Sequence, residues 1–260
     1  LENIARLRRN QILVDEMTDF SPVQLACMAA LANTATRSLF LSGDFNQRLT
    51  LWGSRSEEEL SWVAPALDVE RISMSYRQSR KLAEFARSLA RLQGSEINDQ
   101  VSDFTENLGY APVLGCSLAT DGDRAHWLGE RIREIEHIAD GQMPTIAVLV
   151  PHKDMLAPLT AALNVEIADL NLQAKAYSDG EAIGKTNDVR VFPIEHIKGL
   201  EFEAVFFLDV DRLAAESPEL FDRYIYVGAT RAATFLGLTC QESTLPATLE
   251  HPELCYEAKW

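Results

Sequence analysis

The length and composition of the sequence indicate a folded globular protein. The chain has 260 residues, 47% of them hydrophobic, which is enough for the core of one large domain or two moderate ones. Its longest apolar runs, AVFFLDV and TIAVLVP, are far shorter than the roughly 20 residues that a membrane-spanning helix needs, so we expect no membrane partner. The net charge of -15 excludes a uniformly basic surface of the kind that coats nucleic acid, but it leaves room for a local basic groove.

The cysteines and the amino terminus suggest a cellular setting. The four cysteines are scattered, without CxxC or His/Cys spacing, which is typical of reduced thiols in a cytoplasmic protein. The chain begins at Leu1 rather than at a methionine and has no signal-peptide pattern. We therefore expect that the sequence starts inside a longer protein.

Short apolar runs alternate along the chain with segments of helical periodicity, which predicts an α/β protein with a parallel sheet flanked by helices. We predict strands at residues 11–15, 38–43, 112–118, 145–150, 189–193, 204–209 and 234–239.

Two helical segments have clear apolar stripes. RKLAEFARSLARL and HWLGERIREIEHI place one face of each helix in a core. The residues on these faces are Leu82, Phe85, Ala86 and Leu89 in the first helix, and Leu128, Ile132, Ile135 and Ile138 in the second.

Two other stretches organise the chain. Residues 93–112 lack periodicity, which predicts a loop or a peripheral insertion. The segment APALDVER separates two strand-helix series, so we expect one domain over residues 1–70 and another over 71–260.

The first strand ends in acids, in the run ILVDEMTD. Functional groups in open α/β sheets gather at the carboxyl ends of strands, so Asp15 and Glu16 would face a ligand crevice. Asp15 could hold Mg²⁺, and Glu16 could orient and deprotonate an attacking water. The alternative is that the strand simply leaves the core at this point.

Five stretches in order resemble the later motifs of superfamily 1 helicases of the UvrD/Rep type, across residues 12–232. They are ILVDEMTD, LFLSGDFNQ, SMSYRQS, IKGLEFEAVFF and YIYVGATRA. The resemblance implies RecA-like (P-loop NTPase) sheets: a partial first lobe from the Walker B strand onward, followed by a complete second lobe. It also implies ATP and Mg²⁺ bound between the lobes, and movement along single-stranded DNA. RNA remains an open alternative.

The resemblance assigns roles to residues around ATP. Gln47 would contact the γ-phosphate and the attacking water, and Arg77 and Arg231 would act as arginine fingers. Glu201 would contact the ribose or couple nucleotide to DNA. Taken singly, Gln47 could be an ordinary loop residue, and either arginine a surface or salt-bridge residue.

The resemblance also implies contacts with DNA. Trp52 would stack on a base, with packing between the lobes as the equal alternative. His196 and Lys198 lie in or beside the IKGLEF motif, where Gly199 would allow a close backbone approach. His196 could equally be an exposed loop residue.

The sequence departs from the family pattern in several places. No G-x-x-x-x-G-K-[ST] loop precedes the first strand, and SDGEAIGKT is a decoy because Asp179 replaces the first glycine and a strand follows it. Thr18 replaces a family Gln, and Pro193 and Glu195 replace a Thr and a His. The large accessory insertion of the second lobe should be missing.

These departures leave two functional hypotheses. The first is the C-terminal part of an ATP-dependent DNA helicase that works with the missing N-terminal segment of the same protein, and hydrolyses ATP poorly without it. The second is a degenerate RecA-like regulatory or scaffolding module that binds protein partners. Retention of Glu16 and both arginines favours the first, because buried charges without a ligand are costly.

Overall fold

The computed structural model describes residues 6–72, 74–75, 78–92, 100–101, 109–178 and 188–260. The chain divides into two compact units, Leu1–Ile72 and Ser73–Trp260. Each unit has its own core, and each is described below by itself.

The first unit is a two-stranded parallel sheet with helices on one face. Its elements in chain order are β1 (Gln11–Val14), α1 (Pro22–Ala29), β2 (Ser38–Leu41) and α2 (Glu57–Val63). Helix α1 begins with a capping box between Ser21 and Gln24, as expected for a serine followed three residues later by a glutamine. The core of the first unit consists of Val14, Met17, Leu25 and Leu60.

The second unit contains the larger sheet. Its elements in chain order are β3 (Met74–Ser75), α3 (Arg80–Leu92), β4 (Gln100–Val101), β5 (Val113–Gly115), α4 (Asp121–Ile138), β6 (Ile146–Val150), α5 (Leu156–Glu166), β7 (Gln173–Ala176), β8 (Asp188–Pro193), β9 (Phe202–Phe207), α6 (Val210–Glu216), α7 (Phe221–Arg231) and β10 (Ala232–Thr239).

Six strands of the second unit form one parallel sheet in the order β5-β10-β9-β6-β8-β7, and β3 pairs with β4 in a separate two-stranded sheet. The central strand β6 is a continuous apolar run, and β9 is apolar except for the exposed Glu203, as is typical of a parallel sheet whose two faces are covered by helices. The predicted α/β class with parallel strands is confirmed, and all seven predicted strands are present.

Three strands were not predicted. The strands β3 and β4 are two residues long, too short for any pattern. Strand β7 has the sequence QAKA, which lacks an apolar run, and side chains hold it in place. Asn164 accepts from Ala174 N at 2.8 Å and donates to Ala174 O at 3.0 Å, and Lys175 pairs with Asp188 at 2.9 Å.

The two predicted helical stripes are buried in the second unit. Every residue of the α3 stripe is buried, and in α4 Leu128, Ile132 and Ile135 are fully buried while Ile138 is partly buried. Burying one such side chain contributes about 1.5–3 kcal/mol. Gly115 and Gly237 leave room on the sheet for the ring of Trp127.

The end of the chain packs along the sheet edge formed by β5. Leu114 N donates to Glu257 O, and Glu257 N donates to Pro112 O, both at 2.9 Å. Trp260 packs against Phe206 and Phe235, and its indole donates to Ala111 O at 2.9 Å. This tail covers an edge strand that would otherwise expose unpaired backbone groups.

Two sequence predictions concern residues that lie mostly outside the described ranges. The decoy SDGEAIGKT lies outside the described residues apart from Ser178, and so does most of the predicted loop at residues 93–112.

Over the described ranges, no helix is long and apolar enough to cross a membrane. All four cysteines are free.

Candidate functional site

The acids of the first unit follow directly on the carboxyl end of β1. Val14 and Leu41 are the last register pair of the sheet, so Asp15 and Ser42 come next on their strands. Ser42 Oγ donates to Asp15 Oδ1 at 2.7 Å, and Glu16 N donates to the same oxygen at 2.9 Å. The Asp15 carboxylate is therefore held in a defined orientation at the sheet edge.

Glu16 has an unusual backbone conformation, with φ 51° and ψ 42° in the left-handed region. Non-glycine residues rarely adopt it, and the strain costs about 1–3 kcal/mol when the surroundings impose it. Two bonds impose it here, because Met17 N donates to Ser42 O at 2.8 Å and Ser42 N to Val14 O at 2.9 Å. The chain thus turns sharply at Glu16, whose side chain is half-buried.

Gln47 lies in the turn that follows β2. Asp44 begins this short 3-10 turn, Phe45–Gln47, and its carboxylate accepts from Asn46 N at 2.8 Å. Gln47 N donates to Asp44 O at 3.0 Å, which closes the turn. The Gln47 amide is therefore carried on a short, capped turn at the same sheet edge as Asp15.

Trp52 is 64% exposed and lies on a loop tied to the segment after the acids. The buried Arg48 donates to Thr50 O, and Thr50 Oγ1 donates to Asp19 O at 3.4 Å. Ser54 donates to Phe20 O through both its backbone N and its hydroxyl, each at 2.9 Å. These hydrogen bonds connect the Trp52 loop to the segment that follows Glu16.

Thr18 occupies the centre of that segment and is fully buried. Its Oγ1 has no hydrogen-bond partner among the described residues. A buried hydroxyl without a partner is destabilising. The threonine is therefore not explained by local hydrogen bonding.

In the second unit, Arg231 and Glu201 precede the first residues of their strands, whereas Asp15 in the first unit follows the last residue of its strand. Ala232 of β10 and Phe202 of β9 are register partners, so the residues before them, Arg231 and Glu201, occupy adjacent positions at the amino-terminal edge. Arg231 ends α7 and is 6% exposed, whereas Glu201 is exposed. Arg77 lies outside the described residues.

The IKGLEF motif and the residues just before it connect the carboxyl end of β8 to the amino-terminal end of β9. His196 ends a 3-10 turn just after β8, at the carboxyl edge; its Nε2 lies 3.6 Å from Glu195 Oε1 without forming a hydrogen bond. Lys198 is half-buried. Gly199 has φ +76°, and a Cβ there would meet no atom within 4 Å. Its backbone conformation, rather than crowding within the protein, accounts for the glycine.

The family departures at this turn have local partners. Pro193 ends β8 opposite Val150 in the sheet, and Glu195 pairs with Lys153 at 3.5 Å. Burial raises the pKa of Tyr224, and the charge of Glu195 raises it further, so this phenol stays neutral.

Residues 188–239, from β8 to the end of β10, match the family model of the UvrD-like helicase C-terminal domain. This stretch of the chain is therefore similar to the UvrD-like helicase C-terminal domain. This match includes the segments that carry Lys198, Glu201 and Arg231. No curated protein matches the sequence significantly.

Two solved structures are similar to this chain at low identity. The C-terminal domain of a possible DNA helicase from Lactobacillus plantarum WCFS1 has 19% identity and a TM-score of 0.49, over 71% of this chain and 99% of that one. The arterivirus nonstructural protein 10 helicase has 16% identity and a TM-score of 0.39, over 94% of this chain but only 42% of that one.

Sequence reasoning missed two buried polar residues of the second unit. Gln78 lies in the SYRQS motif, in which the resemblance assigns a role to Arg77 alone, yet its buried amide contacts the end of α7. Asp209 lies in the strand predicted at residues 204–209, but β9 ends at Phe207 and Asp209 forms a buried ion pair with Arg124. The one available signal for Asp209 was an acid inside the apolar run AVFFLDV.

Proposed function

We propose that this chain is the C-terminal part of an ATP-dependent superfamily 1 DNA helicase or translocase. The UvrD-like domain at residues 188–239 supports a helicase-related function. In this proposal residues 1–70 form the second half of a first RecA-like lobe, and residues 71–260 form a complete second lobe. The oriented Asp15 carboxylate at the end of β1 is the observation that carries the ATP-dependent part.

The residues at this edge suit Mg²⁺. Mg²⁺ takes oxygen ligands, commonly one or two carboxylates together with waters and phosphate oxygens. Asp15 supplies a carboxylate whose orientation Ser42 fixes, and no group of three or more His, Cys, Asp or Glu is gathered anywhere in the described part of the chain. A single carboxylate ligand is compatible with this ion. When bound, Mg²⁺ would neutralise charge on the phosphate oxygens of ATP.

The other residues would divide the work of hydrolysis. Glu16 would accept the proton of the water that attacks the γ-phosphorus, and Gln47 would orient that water. Arg77 and Arg231 would stabilise charge on the γ-phosphate as it leaves ADP. Glu201, next to Arg231 on the sheet edge, would contact the ribose or couple nucleotide to DNA.

Nucleic acid would be held by separate groups. The exposed indole of Trp52 offers a stacking face for a base, worth about 1–3 kcal/mol. Lys198 and His196 would contact single-stranded DNA. The hydrogen bonds that connect the Trp52 loop to Asp19 and Phe20 give a physical link between the ATP residues and the stacking residue.

The test uses the full-length gene product. We expect ATP hydrolysis stimulated by single-stranded DNA, and a loss of at least about 100-fold in kcat for Glu16→Gln, because the variant lacks the base. Glu58→Gln, on the exposed side of α2, is the control and should keep wild-type activity. Unchanged activity in Glu16→Gln contradicts the mechanism.

A second measurement uses the 260-residue chain alone. It has no phosphate loop ahead of β1, so we expect little or no ATP turnover. Robust turnover by this chain would contradict the proposal.

One observation favours a second candidate, a regulatory module that binds another protein. Thr18, which stands where the family has Gln, is buried, and its hydroxyl has no hydrogen-bond partner among the residues that the structure describes. This candidate predicts a full-length protein whose ATPase does not respond to single-stranded DNA.

A further inference from the structure

Gln78 clamps the end of the helix that carries Arg231. The Gln78 side chain is buried, and the residue is 6% exposed. Its Nε2 donates to Ala229 O at 2.8 Å and to Ala232 O at 2.9 Å. The two acceptor carbonyls flank Arg231, which is the last residue of α7. One amide group from a distant part of the chain thus brackets this arginine.

The backbone beside Gln78 adds a third bond. Ser79 N donates to Ala233 O at 2.7 Å, so residues 78 and 79 together hold three carbonyls of the α7–β10 junction. Helix α3 begins at the next residue, Arg80, and packs on α7 through Ala86, Ala90 and Tyr226. The clamp is therefore fixed to a packed helix pair.

The Gln78 amide supplies hydrogen-bond donors to carbonyls at the end of helix α7. The last carbonyls of a helix lack partners within the helix, and a buried carbonyl without a partner is costly. Helix α7 ends abruptly, because Ala232 already has an extended backbone with ψ 125° as it enters β10. Ala229 O also accepts from Ala232 N. Without the Gln78 donors, Ala229 O would therefore keep only that backbone bond, and Ala232 O would lose its bond from the side chain.

We infer that Gln78 is a positioning residue for Arg231: its amide fixes the last turn of α7 and so sets the direction from which the guanidinium reaches the γ-phosphate. The role of Arg231 in this inference rests on the proposed function. In this role Gln78 contacts no substrate. It acts through the backbone of residues 229–232.

The first test reads the position of Arg231 in the 260-residue chain without ATP. Gln78→Met keeps the length of the side chain and removes both donors. We expect the Arg231 Nε–H resonance, assigned by its loss in Arg231→Lys, to shift and to exchange with water faster. Asn164→Leu is the matched control, because it removes another side-chain amide that clamps the backbone, at β7. It should lower the thermal midpoint comparably and leave the Arg231 resonance unchanged.

The second test uses kinetics in the full-length gene product. Gln78→Met should lower kcat about 10- to 100-fold, because small misplacements of a reacting group are costly, with a much smaller change in KM for ATP. Gln78→Asn keeps a shorter donor and should fall between wild type and Gln78→Met in both tests. It also carries the inference if Gln78→Met fails to fold.

The outcomes separate this inference from the proposed function. An Arg231 resonance that is unaffected by both Gln78 variants overturns the positioning role, as does an equal loss of kcat in Asn164→Leu. If the wild-type full-length protein has no ATPase activity, the proposed function fails. The resonance in the 260-residue chain then still decides whether Gln78 orients Arg231.

Discussion

Arg124 and Asp209 form a deeply buried ion pair in the second unit, with side chains 5% and 0% exposed. Arg124 Nε donates to Asp209 Oδ1, and Nη2 lies against Oδ2, both at 2.7 Å. Asp209 also accepts from Gln241 Nε2 at 2.7 Å, and its backbone N donates to Thr239 Oγ1 at 3.0 Å. The pair joins the first turn of α4 to the segments that follow β9 and β10.

Removing one partner of this pair should be severe. Arg124→Met leaves the Asp209 carboxylate buried without its counter-ion, so we expect the free energy of unfolding to fall by about 3–5 kcal/mol in urea titrations. Adding Asp209→Asn removes the stranded charge and should recover part of the loss. Asp169→Asn, which breaks an exposed pair with Arg133, should have little effect. A small loss in Arg124→Met would mean that water reaches Asp209.

The capping residue Asp123 makes stability depend on pH. The Thr120 hydroxyl, and then the Thr120 backbone N–H, lower the pKa of the Asp123 carboxyl below its ordinary value of 3.8. A carboxyl whose pKa is lowered by folding stabilises the protein fully above that ordinary value, and the contribution disappears as the pH falls through the folded pKa. We therefore expect Asp123→Ala to be less stable than wild type at neutral pH. The difference should shrink below about pH 4 in urea titrations, and a constant difference across that range would contradict the capping role.

Two helical glycines allow a test at the scale of whole elements. A Cβ added to Gly228 in α7 would lie 1.7 Å from Cε2 of the Phe207 ring in β9, whereas one added to Gly122 in α4 would meet nothing closer than 3.7 Å. Alanine normally stabilises a helix relative to glycine by about 0.5–1 kcal/mol. We expect that gain for Gly122→Ala. For Gly228→Ala the clash should outweigh it and destabilise the unit by about 1–3 kcal/mol.

The paired design makes this prediction easy to judge. Both variants add one methyl group to a helix of the same unit, so thermal or urea unfolding compares them directly. Stabilisation by Gly228→Ala would show that α7 can move away from β9. In that case helix α7 would not hold Arg231 as firmly as its packing against β9 indicates.

At this scale the sequence was informative where local patterns decide the structure. Apolar runs located the seven main strands, and period-3.6 stripes located the buried faces of α3 and α4. Strand β7 was not predicted because its sequence, QAKA, has no apolar pattern. The side chains of Asn164 and Asp188 hold it in the sheet instead. Its pairing is a tertiary effect that no local window contains.

The candidate site was only partly accessible to the same reasoning. The rule that ligands bind at the carboxyl ends of strands directs attention to Asp15 and Glu16, which follow β1 directly. It does not lead to Arg231 and Glu201, which precede β10 and β9 at the amino-terminal edge. Their proximity follows from strand order, because β9 and β10 are neighbours in the sheet, and the Gln78 clamp joins residues 151 and 154 positions apart.

At the scale of the whole molecule, the two units differ in how complete their sheets are. The second has a six-stranded sheet and a large core cluster. Over its described residues, the first has two strands and a core cluster of four buried residues. On the side of its sheet away from that core, Leu13 and Phe40 are register partners and are 66% and 59% exposed. Parallel sheets normally have both faces covered, and two strands alone are at best marginally stable.

This difference predicts what happens when the units are separated between Ile72 and Ser73. Residues 73–260 contain all six strands of the large sheet, its flanking helices and the tail that covers β5, so we expect this piece to unfold cooperatively in urea and to give a well-dispersed amide spectrum. Residues 1–72 should give neither, because their small core cannot offset the conformational entropy of so many residues. Cooperative unfolding of residues 1–72 would show that the Leu13 and Phe40 face needs no cover. A non-cooperative transition for residues 73–260 would mean that the large sheet depends on the first unit, and the variants at Gln78, Gly228 and Arg124 would then have to be interpreted only in the intact chain.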